Sequence, residues 1–130
     1  MTGAESGIGR ATAIRLARDG MDIGITWYRS EADAEATARE VRAAGRRAET
    51  ARMDLAEPSA AADVVDALAE RLGRLDALVN NAGTGSPATL FTDLDLPTVR
   101  HVLEVDLVGP LLCGQRAARR MIAQGAGGAS

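Results

Sequence analysis

The chain has 130 residues, 46% apolar and 25% charged, with a formal net charge of −3. That is one domain's worth of chain with enough apolar content for a single core. No apolar run approaches the roughly 18 residues of a spanning helix and no charged-then-apolar leader opens the sequence, so neither a membrane nor a secreted protein is expected. The acidic balance argues against nucleic acid as a partner. A single cysteine, Cys113, and a single histidine, His101, leave no internal disulfide and no expected metal site, which makes the cytoplasm the expected compartment. All 15 basic residues are arginine. Without lysine, the chain can form no Schiff base, no Gly-Lys-Thr phosphate loop and no Tyr-x-x-x-Lys catalytic pair.

In chain order, Ile8, Ala11, Ile14 and Ala17, with Leu16 beside them, predict the buried stripe of a first helix, closed near Gly20. Ile23 to Trp27 is a β-branched run that predicts a strand. Ser30 with Asp33 reads as an N-cap pair opening an alanine-rich helix that ends by Gly45. Ala48 to Met53 is a second strand candidate. Pro58 suits a helix first turn, Val64, Val65, Leu68 and Leu72 mark its buried stripe, and Gly73 stops it. Ala77-Leu78-Val79 predicts a short third strand running into Asn80-Asn81-Ala82-Gly83. After a loop with Gly85, Ser86 and Pro87, a long helix is expected from Pro97, carrying Val99, Val102, Leu103, Leu107, Leu111 and Leu112. The tail from Gly125 to Ser130 is small and glycine-rich.

Strands separated by helices imply parallel pairing through crossovers, with helices on both faces of the sheet. The fold class is therefore α/β, a doubly wound parallel sheet of the Rossmann kind, within one partial domain over residues 1–130. It is expected to be incomplete. The first strand of such a sheet is absent, and the chain stops after a helix with no strand to receive it.

The opening Thr2-Gly3-Ala4-Glu5-Ser6-Gly7-Ile8-Gly9 has the makings of a pyrophosphate turn. Gly3 allows a tight turn, Gly7 lets the backbone approach a ligand, and Gly9 lets the helix pack closely on the sheet, while the helix N-terminus offers free N–H groups. The spacing is Gly-x-x-x-Gly-x-Gly rather than Gly-x-Gly-x-x-Gly. Asn80-Asn81-Ala82-Gly83 falls at a strand's carboxyl end, where open α/β sheets bind ligands. The two motifs in this order, with Asp54-Leu55 and Val105-Asp106-Leu107-Val108-Gly109, resemble the short-chain dehydrogenase/reductase family. The likeness covers essentially the whole chain and is nearest the bacterial glucose dehydrogenase, acetoin reductase and ketoacyl reductase group.

The resemblance implies an NAD or NADP cofactor and hydride transfer with a small carbonyl or secondary alcohol substrate. It places Gly3, Ser6, Gly7, Ile8 and Gly9 on the pyrophosphate turn, Asp54 and Leu55 beside the adenine, and Asn81, Ala82 and Gly83 on the wall of the nicotinamide ribose pocket. The second strand ends Trp27-Tyr28-Arg29-Ser30 with no acid at its tip. Arg29 and Ser30 suit a ribose 2′-phosphate, so NADP is favoured over NAD, with nearby Glu31 as the counter-indication. Asp66 and Asp76 are read as solvated charges without a role.

Asp106 stands where resembling enzymes carry an asparagine whose main-chain carbonyl holds a water in a proton relay. Pro110 has no N–H to give that carbonyl, which predicts an unpaired Asp106 carbonyl and a kink at Gly109-Pro110. Simple bending of the helix around the core is the alternative. His101, Cys113 and Met121 are read as core or interface residues, with His101 as a catalytic base the less favoured reading. In resembling enzymes the long helix pairs with its twin, so a homo-oligomer through this helix is an expectation.

The family's serine, tyrosine and lysine have no counterpart. The tyrosine present, Tyr28, lies at the adenosine end, and Ser130 falls in the tail. Resembling enzymes run to about 250 residues, within the range of single domains. In the family strand order 3-2-1-4-5, Met1 stands where the central strand ends, so a slot is expected in mid-sheet. The favoured reading is a fragment of an oxidoreductase cut at both ends. A non-catalytic dinucleotide-binding module and a decayed inactive product are the alternatives.

Overall fold

The computed structural model describes residues 1–84 and 88–125. Its elements are α1 (Gly7–Arg18), β1 (Ile23–Trp27), α2 (Glu31–Ala43), β2 (Ala48–Arg52), α3 (Pro58–Leu72), a 3₁₀ turn (Phe91–Asp93), α4 (Leu96–Leu103), a π-helical turn (Glu104–Val108) and α5 (Gly109–Gln124). The expected residues Gly85, Ser86, Pro87, Gly127, Gly128 and Ser130 lie outside the described residues.

β1 and β2 pair in parallel, from Ile23 opposite Ala48 to Trp27 opposite Arg52. A parallel pair needs a crossover, and α2 supplies it. The Ser30 hydroxyl accepts the Asp33 N–H at 3.2 Å, the N-cap that the sequence predicts. Ile23 and Ile25 turn to one face of the sheet and pack with Ala13, Ala17, Ala34, Ala38 and Val41 of α1 and α2. On the other face Met53 and Leu55 pack with Val65 of α3 and with Cys113, Ala117 and Met121 of α5. Helices therefore cover both sides of the sheet, as the doubly wound class requires.

The α1 stripe differs from its expectation. The buried residues are Gly9, Ala13 and Ala17, whereas Ile8 is 79% exposed and Ala11 is exposed. Residues every three positions fall back about 60° per step on a helix of 3.6 residues per turn, so Ile8 and Ala17 point to opposite sides. The α3 stripe holds, with Val65 and Leu68 buried, Val64 and Leu72 half-buried, and Ala61, Ala62 and Ala69 completing it.

Ala77-Leu78-Val79 is not a strand; it forms an isolated bridge at Ala77. The stretch Met1–Thr2 lies between Val79 and Thr26. The Thr2 N–H donates to Val79 O at 3.0 Å, the Thr26 N–H to Met1 O at 3.2 Å and the Ala4 N–H to Thr26 O at 3.3 Å. The expected slot is thus closed at this end. Beneath it lies a cavity of ≈ 250 Å³ lined by Met1, Ile23, Gly24, Leu68, Leu75 and Leu78. Gln124 of α5 holds Leu75 of this lining, with Nε2 donating to Leu75 O and Oε1 accepting the Leu75 N–H, each at 2.8 Å.

The expected long helix begins one residue early, at Leu96, where the Asp95 carboxylate accepts the Thr98 N–H at 2.8 Å. It is not one α-helix. The Gly109 N–H, which would ordinarily reach Val105 O, donates instead to Glu104 O, producing the π turn. Pro110 has no N–H for Asp106 O. Two successive carbonyls, Val105 and Asp106, thereby lose their α-helical donors, where the sequence predicts one. Gly109 also packs so close to the chain after β2 that a Cβ there would lie 2.8 Å from Leu55 O.

Asp66 is not a solvated charge. On α3 it accepts from Arg116 at 2.6 Å and Arg120 at 3.2 Å on α5. Burial pulls its carboxyl upward, but these two guanidiniums outweigh that and hold it below the ordinary value. Asp63 and Glu70 extend the cluster through the same two arginines. Asp76 pairs with its loop neighbour Arg74 at the surface.

Candidate functional site

The site grows from the start of α1. Ser6 at the N-cap has extended backbone and makes no side-chain cap, and no acid stands in the first turn. By contrast α2 begins with a capped N-terminus and with Glu31 and Asp33 in its first turn. The N-terminus of α1 therefore keeps unsatisfied N–H groups and an uncompensated dipole end, the features that bind an anion. Gly3 and Gly7 have φ of +62° and +54°, the left-handed region where glycine is at home.

Thr2 and Asn81 lock this turn to the sheet. Thr2, 1% exposed, accepts the N–H groups of Asn81 and Ala82 on its hydroxyl, each at 3.0 Å. Asn81 Nδ2 donates to Thr2 O at 3.2 Å and Gly3 O at 3.0 Å. Asn80 points the other way, its Nδ2 donating to Pro110 O at 3.2 Å at the start of α5. The asparagine pair thus ties three elements together. Gly9 backs the turn: a Cβ there would overlap Gly3 O and come within 2.6 Å of Asn81 Nδ2.

A pocket of ≈ 630 Å³ opens between the turn and the strand ends. Of the residues singled out in the sequence, Gly3, Ser6, Gly7 and Ile8 line it from the turn, Arg29, Asp54 and Leu55 from the ends of β1 and β2, and Asn81, Ala82 and Gly83 from the third strand position. Gly9, Ser30 and Asp106 are not part of this lining. Asp54 accepts the Ala56 N–H at 2.9 Å, which fixes its loop. Asp106 Oδ1 accepts the Thr84 N–H at 2.7 Å and lies 3.2 Å from the position of a Cβ on Gly83.

Sequence reasoning missed several residues here. Glu5, Trp27, Tyr28, Thr84, His101 and Val105 also line the pocket. His101 is exposed at its mouth rather than packed in the core, whereas Cys113 and Met121 are buried as expected. Thr2 carried a signal in its place before Gly3, since a buried hydroxyl beside a tight turn satisfies backbone groups that the turn leaves over. Nothing in the sequence showed that α4 would turn His101 toward the pocket, because the stripe of that helix gives no register against the sheet.

An uncapped helix N-terminus behind a glycine turn, facing the carboxyl ends of a parallel sheet, is the arrangement of the doubly wound α/β class. The family model described as short chain dehydrogenase matches residues 1–129, and the chain belongs to that family. It is 46% identical over 98% of its length to an uncharacterized oxidoreductase, YohF, of Escherichia coli K12, covering 50% of that protein. Acetoin dehydrogenase from Enterobacter cloacae superposes with a TM-score of 0.92 at 47% identity, over 98% of this chain and 50% of that one. A short chain dehydrogenase from Burkholderia cenocepacia J2315, solved in complex with NADP, gives a TM-score of 0.87 at 42% identity, over 92% and 48%. These likenesses make the fold Rossmann-like, and the chain spans about half the length of the curated relatives it matches. Among the described residues no helix is long and apolar enough to cross a membrane.

Proposed function

We propose that this chain is the cofactor cradle of an NAD(P)-dependent oxidoreductase that transfers hydride between the nicotinamide and a small carbonyl or secondary alcohol substrate. The observation that carries the reading is the interlock of Thr2, Gly3, Gly9 and Asn81 around an uncapped helix start. The donor set fits the group: free N–H groups of α1 for the pyrophosphate, Asp54 and Leu55 for the adenine, and Asn81, Ala82 and Gly83 for the nicotinamide ribose. The bound cofactor supplies the hydride. The proton chemistry calls for a tyrosine with a lysine four residues on, and this chain contains no such pair. The chain's own contribution is thus to bind and orient, with the Asp106 carbonyl at the π turn as a backbone site for a relay water.

Arg29 lines the pocket and makes no ion pair among the described residues, which supports NADP over NAD, and Ser30 adds a hydroxyl at the same strand end. Leu96, Leu103, Leu107 and Leu111 are 57%, 48%, 56% and 58% exposed along α4, the π turn and α5. That apolar ridge supports pairing with a second copy. A cytoplasmic location accords with Cys113, a buried free thiol. The test is titration of the chain with NADPH and NADH, followed through Trp27 fluorescence and the thermal midpoint. Trp27 lines the pocket, so saturable quenching with a raised midpoint is expected. No change in either signal with either nucleotide would overturn the reading.

A further inference from the structure

Arg52 ends β2 opposite Trp27, and no sequence signal marks it. Its guanidinium carbon lies over the Tyr28 ring, 5.0 Å from the centroid, and that of Arg29 lies over the same ring at 6.0 Å. Most of the other described arginines find carbonyls or carboxylates: Arg42 reaches Glu35, Arg46 reaches Asp22, and Arg116 reaches Asp63 and Asp66. The guanidiniums of Arg29 and Arg52 make neither an ion pair nor a hydrogen bond among the described residues. Two like charges on one exposed ring repel each other, and cation–π attraction at a solvated site offsets only part of that. The arrangement becomes favourable when a dianion joins it. The ring sits at the rim of the pocket, 44% exposed.

We propose that Arg52 is a specificity-determining residue: held over Tyr28, it acts with Arg29 as a clamp for a phosphomonoester on the adenosine ribose of the dinucleotide. This rests on the pocket being a dinucleotide site. Tyr28 is the positioning residue, because its ring holds both guanidiniums at the strand ends before the ligand arrives and so lowers the ordering cost of binding. A phosphomonoester carries about −1.5 to −2 charge at neutral pH and presents three acceptor oxygens, enough for two guanidiniums at once. A ribose bearing only a hydroxyl there gives neither group a charged partner.

The test is calorimetric titration of NADPH and NADH into the wild-type chain, Arg52→Ala, Arg52→Lys and Arg29→Ala. Arg52→Ala is expected to weaken NADPH about tenfold while changing NADH less than twofold, with Arg52→Lys recovering part of the loss. Its thermal midpoint should stay near wild type, since Arg52 is exposed. Equal effects on both nucleotides, or none, with wild-type binding intact, would overturn the role of Arg52 and leave the cradle standing. Failure of the wild type to bind either nucleotide would overturn both readings together.

Discussion

Asn81 reaches back across the strand ends to Gly3, its Nδ2 donating to the Gly3 carbonyl at 3.0 Å and to the Thr2 carbonyl at 3.2 Å. Two carbonyls of the glycine turn, 78 residues or more away in sequence, are thereby satisfied by one side-chain amide. Asn81→Ala is expected to cost about 1–3 kcal/mol in urea denaturation, because two part-buried acceptors lose their donor. Asn81→Asp should cost more, since it sets carboxylate oxygens against carbonyl oxygens. Equal stability of wild type and Asn81→Asp would show that the amide does not hold the turn.

Gly9 and Gly7 separate two reasons for a glycine. At Gly9 a Cβ would overlap the Gly3 carbonyl and crowd Asn81 Nδ2, whereas at Gly7 it would meet nothing within 4 Å but would have to accept φ of +54°. Gly7→Ala is therefore expected to cost about 1–2 kcal/mol from backbone strain alone. Gly9→Ala should cost about 1–3 kcal/mol through overpacking and, by pushing the turn away from Asn81, should also weaken nucleotide binding more than tenfold. Urea midpoints and the NADPH titration measure both. A Gly9→Ala chain that binds as well as wild type would place the cradle elsewhere.

The elements that were legible in the sequence are those whose signal is local. Ser30 with Asp33, Pro58 and Gly73 mark helix ends by chemistry that acts over three or four residues, and β1 is a β-branched run bounded by polar chain. The pocket residues of the two motifs were legible for the same reason, since a positive-φ glycine and a strand-end asparagine leave their mark in sequence. What was hidden depends on distant partners. Ala77 to Val79 becomes a strand only if a neighbour supplies a ladder, and Thr2 gives it a backbone hydrogen bond to Val79 O. The π turn needs Gly109 packed against Leu55, 54 positions earlier, and Arg52 gains its meaning only from parallel register with Trp27. Asp66 looked solvated because nothing local shows that Arg116 and Arg120 lie across from it.

The Asp66 cluster predicts acid sensitivity. Its folded carboxyl lies below the ordinary value near 3.8, so the folded state releases this proton more readily than the unfolded chain. Its stabilisation is complete above that value and fades as the pH falls through it. Asp66→Asn is expected to cost about 1–2 kcal/mol at pH 7, since Asp66, Arg116 and Arg120 are each roughly a quarter to a third exposed and partly screened. The gap between variant and wild type should shrink below about pH 4. A constant gap from pH 7 to pH 3 would assign the loss to packing of α3 on α5 instead of charge.

The amine of Met1 predicts a slope of the same sign in a higher pH window. It lies inside the sheet cavity and donates to Gly24 O at 2.9 Å. Desolvation lowers it from 8.0 to about 6, against a smaller upward pull from Cys113. Between those values the unfolded chain binds a proton that the folded chain does not, so stability rises with pH from about 6 to about 8 and levels off above. The full span is about 2–3 kcal/mol at 1.36 kcal/mol per pKa unit. Thermal midpoints taken from pH 5.5 to 8.5 measure it. Acetylating the amine removes the charge and should flatten the curve, and extending the chain by a few β-branched residues should both flatten it and raise the midpoint by filling the cavity beside Leu68 and Leu78. If the acetylated chain keeps the same slope, some group other than the Met1 amine is titrating.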